Sequence, residues 1–290
     1  MATDRKSRRL PPWFKIRLAT NGRFALVRNR IRSSALHTVC ESASCPNQVE
    51  CWNAGTATFL ILGDRCTRNC GFCGVPKGRP AGIDRDEPQR VAEAVSALML
   101  RYAVVTSVTR DDLPDGGAGI FAETIRAIRR AAPGCRVEVL IPDFQGDADA
   151  LDAVLAASPD VLNHNIETVP SLYEDVRPRV GYRRSLQVLA RAKERDFLTK
   201  SGLMLGLGEK QDEVRQTLVH LRDAGCDILT LGQYLQPRKD LRPVERFYHP
   251  DEFLLLEQEG RELGFRIVHA GPRVRSSYHA ERYGQGNGHQ

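Results

Sequence analysis

The stretch CESASCPNQVECWNAGTATFLILGDRCTRNCGFC, residues 40–73, holds six of the eight cysteines in the chain. They form two groups of three: Cys40, Cys45 and Cys51, spaced C-x4-C-x5-C, then Cys66, Cys70 and Cys73, spaced C-x3-C-x2-C. Thiolates this close in sequence converge on a metal centre, because the loops between them are just long enough to wrap it. Each group offers three ligands. An iron–sulfur cube held by either trio therefore keeps one iron open to something other than cysteine. Between the groups lies ATFLIL, residues 57–62, an apolar run read as a buried strand that ends just before the Cys66 loop.

Two simpler uses of the cysteines compete with a cluster. Disulfides are rare in the reducing compartment expected for a chain of this size without a secretory apolar leader. Structural zinc takes paired C-x2-C hooks and four protein ligands, and only Cys70 and Cys73 form such a hook. Cys135 and Cys226 stand alone beside expected strands and read as packing residues.

Beyond residue 73 the hydrophobic period alternates. Val91, Val95, Leu98 and Met99 mark a helix over 87–101, followed by a β-rich run at 103–108. Further helices are expected at 121–130, 147–157, 182–196, 211–224 and 250–263, and strands at 136–141, 161–166, 199–205, 227–231 and 265–269. The strands are continuous apolar runs, the mark of a parallel sheet covered by helices. The fold expected is α/β, a partial (β/α)6 barrel with its active residues at the carboxyl ends of the strands. The chain after the first strand is too short to fit a full eight-unit barrel comfortably.

At 290 residues the chain can bury about three quarters of its extended surface as one large domain. No run of eighteen apolar residues occurs, so no membrane span is expected. The net charge of +6 is unevenly placed: residues 1–32 hold ten Lys and Arg against the single acid Asp4, a balance of +9, which leaves −3 on the rest. A basic arm on a slightly acidic body is not the footprint of a nucleic-acid groove. The arm is poor in acids, as organelle presequences are. It also carries Trp13, Phe14, Ile16, Leu18, Phe24 and Val27, which suit docking on the body, and a docked arm is the expectation. The Gly-rich tail 284–290 is expected to be disordered.

The second trio, with Phe72 before its last cysteine, resembles the signature of radical S-adenosylmethionine (SAM) enzymes. The first trio is similar to the auxiliary-cluster motif of lipoyl synthases, and RVRSSY at 273–278 contains the RSSY sequence which that family also carries. The resemblance runs in the right order across residues 40–278. It implies a radical-SAM partial barrel over 56–270, preceded by an arm and auxiliary motif over 1–55 and followed by an RSSY segment and flexible tail over 271–290. It also implies two 4Fe–4S clusters. One, on Cys66, Cys70 and Cys73, binds SAM through its free iron. The other sits on Cys40, Cys45 and Cys51, with a serine of RSSY as oxygen ligand. Spacing alone does not separate Ser276 from Ser277; the family motif points to Ser277. Serine oxygen is a harder, weaker ligand than thiolate, which suits a cluster that is broken up for sulfur.

For SAM itself, the family places polar contacts after the strand at 161–166, which implies Asn165 and Glu167, with Arg179 offering a guanidinium fork to the carboxylate. RDDLPDGG, residues 110–117, looks like the loop that receives the amino group, with Asp112 as its candidate. GLMLGLGE, residues 202–209, would let backbone approach the adenine or ribose at Gly206. His164 reads as a hydrogen-bonded strand histidine without a role. The reaction implied is insertion of sulfur at C6 and C8 of an octanoyl chain on a lysine of a lipoyl carrier protein or lipoyl domain. A flavodoxin- or ferredoxin-type reductant and an iron–sulfur carrier for cluster rebuilding are the implied partners, with no nucleic acid and no membrane, in the cytoplasm. Two other readings share some of these features. A sulfur-inserting enzyme of the biotin synthase kind has the second trio but not the first with RSSY. A zinc-stabilised nucleic-acid-binding module would use the same cysteines and the positive charge.

Overall fold

Runs such as YAVVTS and RVEVL, β-branched and buried on both faces, alternate with amphipathic stretches, and that alternation builds the molecule. The computed structural model describes residues 9–15 and 20–280; Ile16 and Leu18 of the arm and the tail 284–290 lie outside the described residues. In chain order the elements begin with α1 (Gly22–Ser33), β1 (His37–Thr38), α2 (Val39–Ser42), α3 (Gln48–Asn53) and β2 (Thr58–Ile61). The repeating part follows: α4 (Glu87–Ala97), β3 (Tyr102–Ser107), α5 (Ala118–Ala131), β4 (Arg136–Leu140), α6 (Ala148–Leu155) and β5 (Val161–Asn163). It continues with α7 (Tyr173–Val176), α8 (Tyr182–Glu194), β6 (Thr199–Leu205), α9 (Gln211–Asp223), β7 (Ile228–Gln233), α10 (Pro250–Glu262) and β8 (Ile267–Gly271).

The eight strands form one sheet in the order β1 to β8, with β1 antiparallel to β2 and every later pair parallel. The two ends of this order do not pair, so the barrel is partial and open, as the alternation implies. Helix α5 shows how the outer layer is fastened. Phe121, Ile125 and Ile128 fall at helical spacing and are fully buried, while Arg126 and Arg130 lie on other faces. Truncating Ile125 to alanine would cost about 2–5 kcal/mol by the usual cavity penalty. Inside the barrel, Tyr102, Val104, Val161 and Ile228 come from the amino-terminal ends of their strands and pack with Ala280, so the C-terminal segment plugs the floor.

Element ends differ from the sequence expectation where local chemistry intervenes. The helix expected over 87–101 stops at Ala97: Met99 turns to φ +52°, its amide returning to Ser96 O and that of Leu100 to Val95 O. The strand expected over 161–166 ends at Asn163, and of the residues that follow, Asn165 and Glu167 face the cavity described below while His164 and Ile166 stay in the core. The described part of the basic arm from residue 20 docks. Asn21 caps α1 by accepting from the amides of Arg23 and Phe24, Val27 and Ile31 are buried, and Phe24 packs on Trp52 at 5.3 Å.

Candidate active site

A cavity of about 1470 Å³ opens at the carboxyl-terminal halves of the strands, and all six clustered cysteines line it. Its size exceeds the several hundred Å³ usual for one small ligand. All eight cysteines of the chain are free thiols. Among the described residues no three His, Cys, Asp or Glu side chains close to single-ion distance.

The first trio is set by two short helices. Cys40 lies on α2, whose cap Thr38 accepts from the Glu41 amide; Cys51 lies on α3; Cys45 sits on the turn between them. The second trio sits on the loop after β2, stitched to its surroundings through backbone. The Cys66 amide donates to Pro76 O, the Gly71 amide to Val176 O, and Lys77 Nζ reaches Cys70 O at 3.0 Å. Cys66 Sγ accepts from the amides of Arg68 and Thr109, both at 3.4 Å. Burial pushes the thiol of Cys40 up to about 11, that of Cys73 up to about 12, and also raises Cys70. Without a metal these thiols stay protonated, so cluster loading must release protons. Arg68, inside the loop, is itself buried and held between Asp111 (2.7 and 2.8 Å) and Asp143 (2.6 Å). Cys135 and Cys226 are buried away from the cavity, their thiols donating to backbone carbonyls.

Asn165 and Glu167 reach the cavity wall, and Asn165 Nδ2 donates to Glu167 Oε1 at 3.0 Å. Burial raises the Glu167 carboxyl, and the charge of Arg177 works against that rise. Asp112, Arg179 and Gly206 are not among the cavity-lining residues. The Asp112 carboxylate is exposed and taken in a two-point pair by Arg110. Gly206, at φ +99°, leaves room for Gln233 Nε2 and Arg246 O, which would stand 2.1 and 2.4 Å from a Cβ, so its bare backbone serves packing. Arg179 is exposed at φ +68°, whereas Arg177 lines the cavity.

Arg177 is the residue that sequence reasoning missed. Its Nη1 donates to Asn165 O at 2.7 Å and to the Tyr173 hydroxyl at 2.8 Å, while its Nε is buried without a hydrogen-bond partner among the described residues. Burial disfavours its charge, but its neighbours, Tyr173 first and then Glu167, more than offset that. Only its place beside Arg179 in VRPR, residues 176–179, marked the segment as basic; which arginine turns inward depends on the loop. His164 is engaged as expected, Nδ1 donating to Ile141 O at 2.9 Å and Nε2 accepting from Ser185 at 3.0 Å. Burial, helped by the Arg177 charge, lowers its imidazole to about 4, so it is neutral.

Both serines of the RSSY segment also line the cavity. The Ser276 hydroxyl accepts from Asn163 Nδ2 at 2.7 Å and donates to Asn165 Oδ1 at 2.9 Å. No hydrogen bond engages the Ser277 hydroxyl among the described residues. The segment is clasped by the first cysteine group: Glu50 accepts from Tyr278 at 2.6 Å and from Arg273 at 2.8 Å, and Asn47 Nδ2 donates to Arg273 O at 2.6 Å.

Comparison with known proteins agrees with this geometry. The Radical SAM superfamily matches residues 60–221, and the N-terminal domain of lipoyl synthase of the Radical_SAM family matches residues 2–45. A lipoyl synthase of Rubrobacter xylanophilus is 57% identical over 272 residues, covering 93% of this chain and 85% of its own. One of Symbiobacterium thermophilum is 57% identical over 275 residues, covering 94% and 86%. Among solved structures, methylornithine synthase shares the fold with a TM-score of 0.54 at 13% identity, over 90% of this chain and 85% of that one. With both cysteine trios lining one cavity and relatives matched along most of their length, the chain belongs to the lipoyl synthase family of the radical SAM superfamily.

Proposed function

We propose that the chain inserts two sulfur atoms, at C6 and C8, into an octanoyl chain carried on a lysine of a lipoyl carrier protein or lipoyl domain. The observation that carries this reading is that the two cysteine trios and the RSSY serines open onto a single cavity. A radical source and a sulfur donor must both reach one alkyl chain, and a shared enclosure holds them in register.

The residues present fit the cofactors of the family, two 4Fe–4S clusters and SAM. Cys66, Cys70 and Cys73 would hold the SAM-binding cluster, and Cys40, Cys45 and Cys51 with Ser277 the auxiliary one. When bound, these groups supply a deoxyadenosyl radical and the sulfur. The chain's own residues bind and orient. Arg177, charged and with an unpaired Nε, would pair with the SAM carboxylate in place of Arg179. Asn165 and Glu167 would take its remaining polar groups, with Glu167 as an acceptor. Leu60, Leu140, Ile141 and Met204 give the cavity an apolar wall for the octanoyl tail.

Burying about seven apolar carbons at ~0.8 kcal/mol each gives roughly 5–6 kcal/mol, only about 0.1 mM binding. Contacts with the carrier surface therefore supplement the cavity. A flavodoxin- or ferredoxin-type reductant and an iron–sulfur carrier that rebuilds the auxiliary site complete the partners. Among the described residues no helix is long and apolar enough to cross a membrane.

The test is anaerobic protein given octanoylated carrier, SAM and reductant, with product mass as the readout. The expected results are a carrier bearing two added sulfurs and about eight irons with sulfide per chain. Zinc without sulfide, or SAM cleavage that leaves the octanoyl chain unsulfurated, would overturn the reading.

A further inference from the structure

Beneath the cavity, hydrogen bonds run without a break from the barrel interior to Asn165. Lys200 and Glu138 are both fully buried and pair at 2.9 and 3.0 Å. Glu138 also accepts from the Tyr102 hydroxyl at 2.7 Å. A carboxylate only accepts, so Asn163 must meet it with its amide nitrogen, and Nδ2 donates to Glu138 at 2.8 Å and to Ser276 Oγ at 2.7 Å. With its oxygen accepting there, Ser276 sends its proton to Asn165 Oδ1 at 2.9 Å. The Asn165 amide is thereby fixed with its oxygen toward Ser276 and its nitrogen toward Glu167 Oε1. Glu138 fixes the Asn163 amide, and the Ser276 hydroxyl, which can both accept and donate, completes the chain by pairing with Asn165 Oδ1. Gly202 makes the space: a Cβ there would stand 2.9 Å from Asn165 Oδ1 and 2.8 Å from Thr230 Oγ1.

We propose that Ser276 is a positioning residue that orients Asn165 for SAM, and so ties the segment carrying Ser277 to the SAM site. The proposal rests on the assignment of Asn165 made above. Its consequence is a linkage between the two halves of the cavity. Seating the RSSY segment against the first cysteine group favours SAM binding, and SAM binding favours that seating by the same factor. The radical source is then organised best when the ligand of the sulfur donor is in place, which limits SAM cleavage without sulfur transfer.

The test is SAM affinity by equilibrium binding on protein carrying both clusters, with iron counted in every variant. Ser276→Ala is expected to weaken SAM about tenfold, the worth of one buried hydrogen bond, and Ser276→Thr, which keeps the hydroxyl, to recover most of that loss. In an Asn165→Ala background, Ser276→Ala is expected to cost no more than about twofold, since the two act through one bond. Asn163→Ala, which leaves RSSY intact, is expected to show the same non-additivity and serves if Ser276→Ala does not load iron. Weakening by Asn165→Ala while Ser276→Ala and Asn163→Ala are silent, or losses that multiply in full, overturns the proposal alone. An Asn165→Ala variant with unchanged affinity overturns the assignment of Asn165 and the proposal with it.

Discussion

Lys200 and Glu138 are a cation and an anion sealed in the middle of the barrel, and every oxygen position on Glu138 is met by a donor. Such a pair does little for stability against an apolar replacement, but removing one partner strands the other. Lys200→Met is therefore expected to cost about 3–5 kcal/mol in chemical denaturation. Adding Glu138→Gln should restore about half of that or more, and a double variant as unstable as the single would show that the charge of Glu138 is not what is stranded. Neither residue stood out in the sequence, because Lys and Glu inside a strand read as solvent-facing alternation. The same limit explains the site residues. In a loop no period says which of Arg177 and Arg179 turns inward. In a run of acids nothing says that Asp111 takes the buried Arg68 while Asp112 closes on its neighbour Arg110.

Elements were legible where burial imposed a period. The strand at Thr199–Leu205 and the helix starting at Gln211 fall where apolar runs and helical spacing put them, because both faces of a parallel strand are covered. The short helices α2 and α3 and the two-residue strand β1 left no such trace. They are too brief for periodicity and are shaped by caps and by the packing of Trp52 and Cys40. Contact between α3 and the C-terminal segment was invisible for a further reason: its partners lie 223 and 228 residues apart in sequence. Glu50 makes that contact. Burial acts to raise its carboxyl, but the Tyr278 hydroxyl and the Arg273 charge overcome this and hold it below the usual range. Glu50→Ala is expected to release the segment, speeding amide exchange over 273–279 by about 10- to 100-fold, the worth of about 1–3 kcal/mol of hydrogen bonding to a charged group. Exchange read by mass spectrometry checks this, and unchanged protection there would mean that Ala280 and Ser276 hold the segment without the clasp.

For the molecule as a whole, the uneven charge of the chain becomes a placed surface. Helix α1 of the arm lies against the first cysteine group, and its Arg28 and Arg32 border a shallow outer cleft backed by Cys40 and Cys45. No ion pair engages either arginine among the described residues, whereas in the loop over 238–242 Arg238 pairs with Asp240 and Arg242 donates to Leu207 O. In that loop only the exposed Lys239 is left with neither an ion pair nor a side-chain hydrogen bond among the described residues, so α1, with two such cations side by side, is the stronger candidate to meet an acidic partner. A field of this kind acts on encounter: it raises the association rate of an oppositely charged protein and does little for a small neutral ligand. Arg28→Glu with Arg32→Glu is therefore expected to lower kcat/KM for an acidic octanoylated carrier about tenfold at low salt, and to leave a short octanoyl-lysine peptide within about twofold. The difference should shrink as ionic strength rises and the screening length falls below about 10 Å. Equal losses on carrier and peptide would mean that the substitutions damage the neighbouring cysteine site, and a carrier rate indifferent to both charge and salt would place docking elsewhere on the molecule.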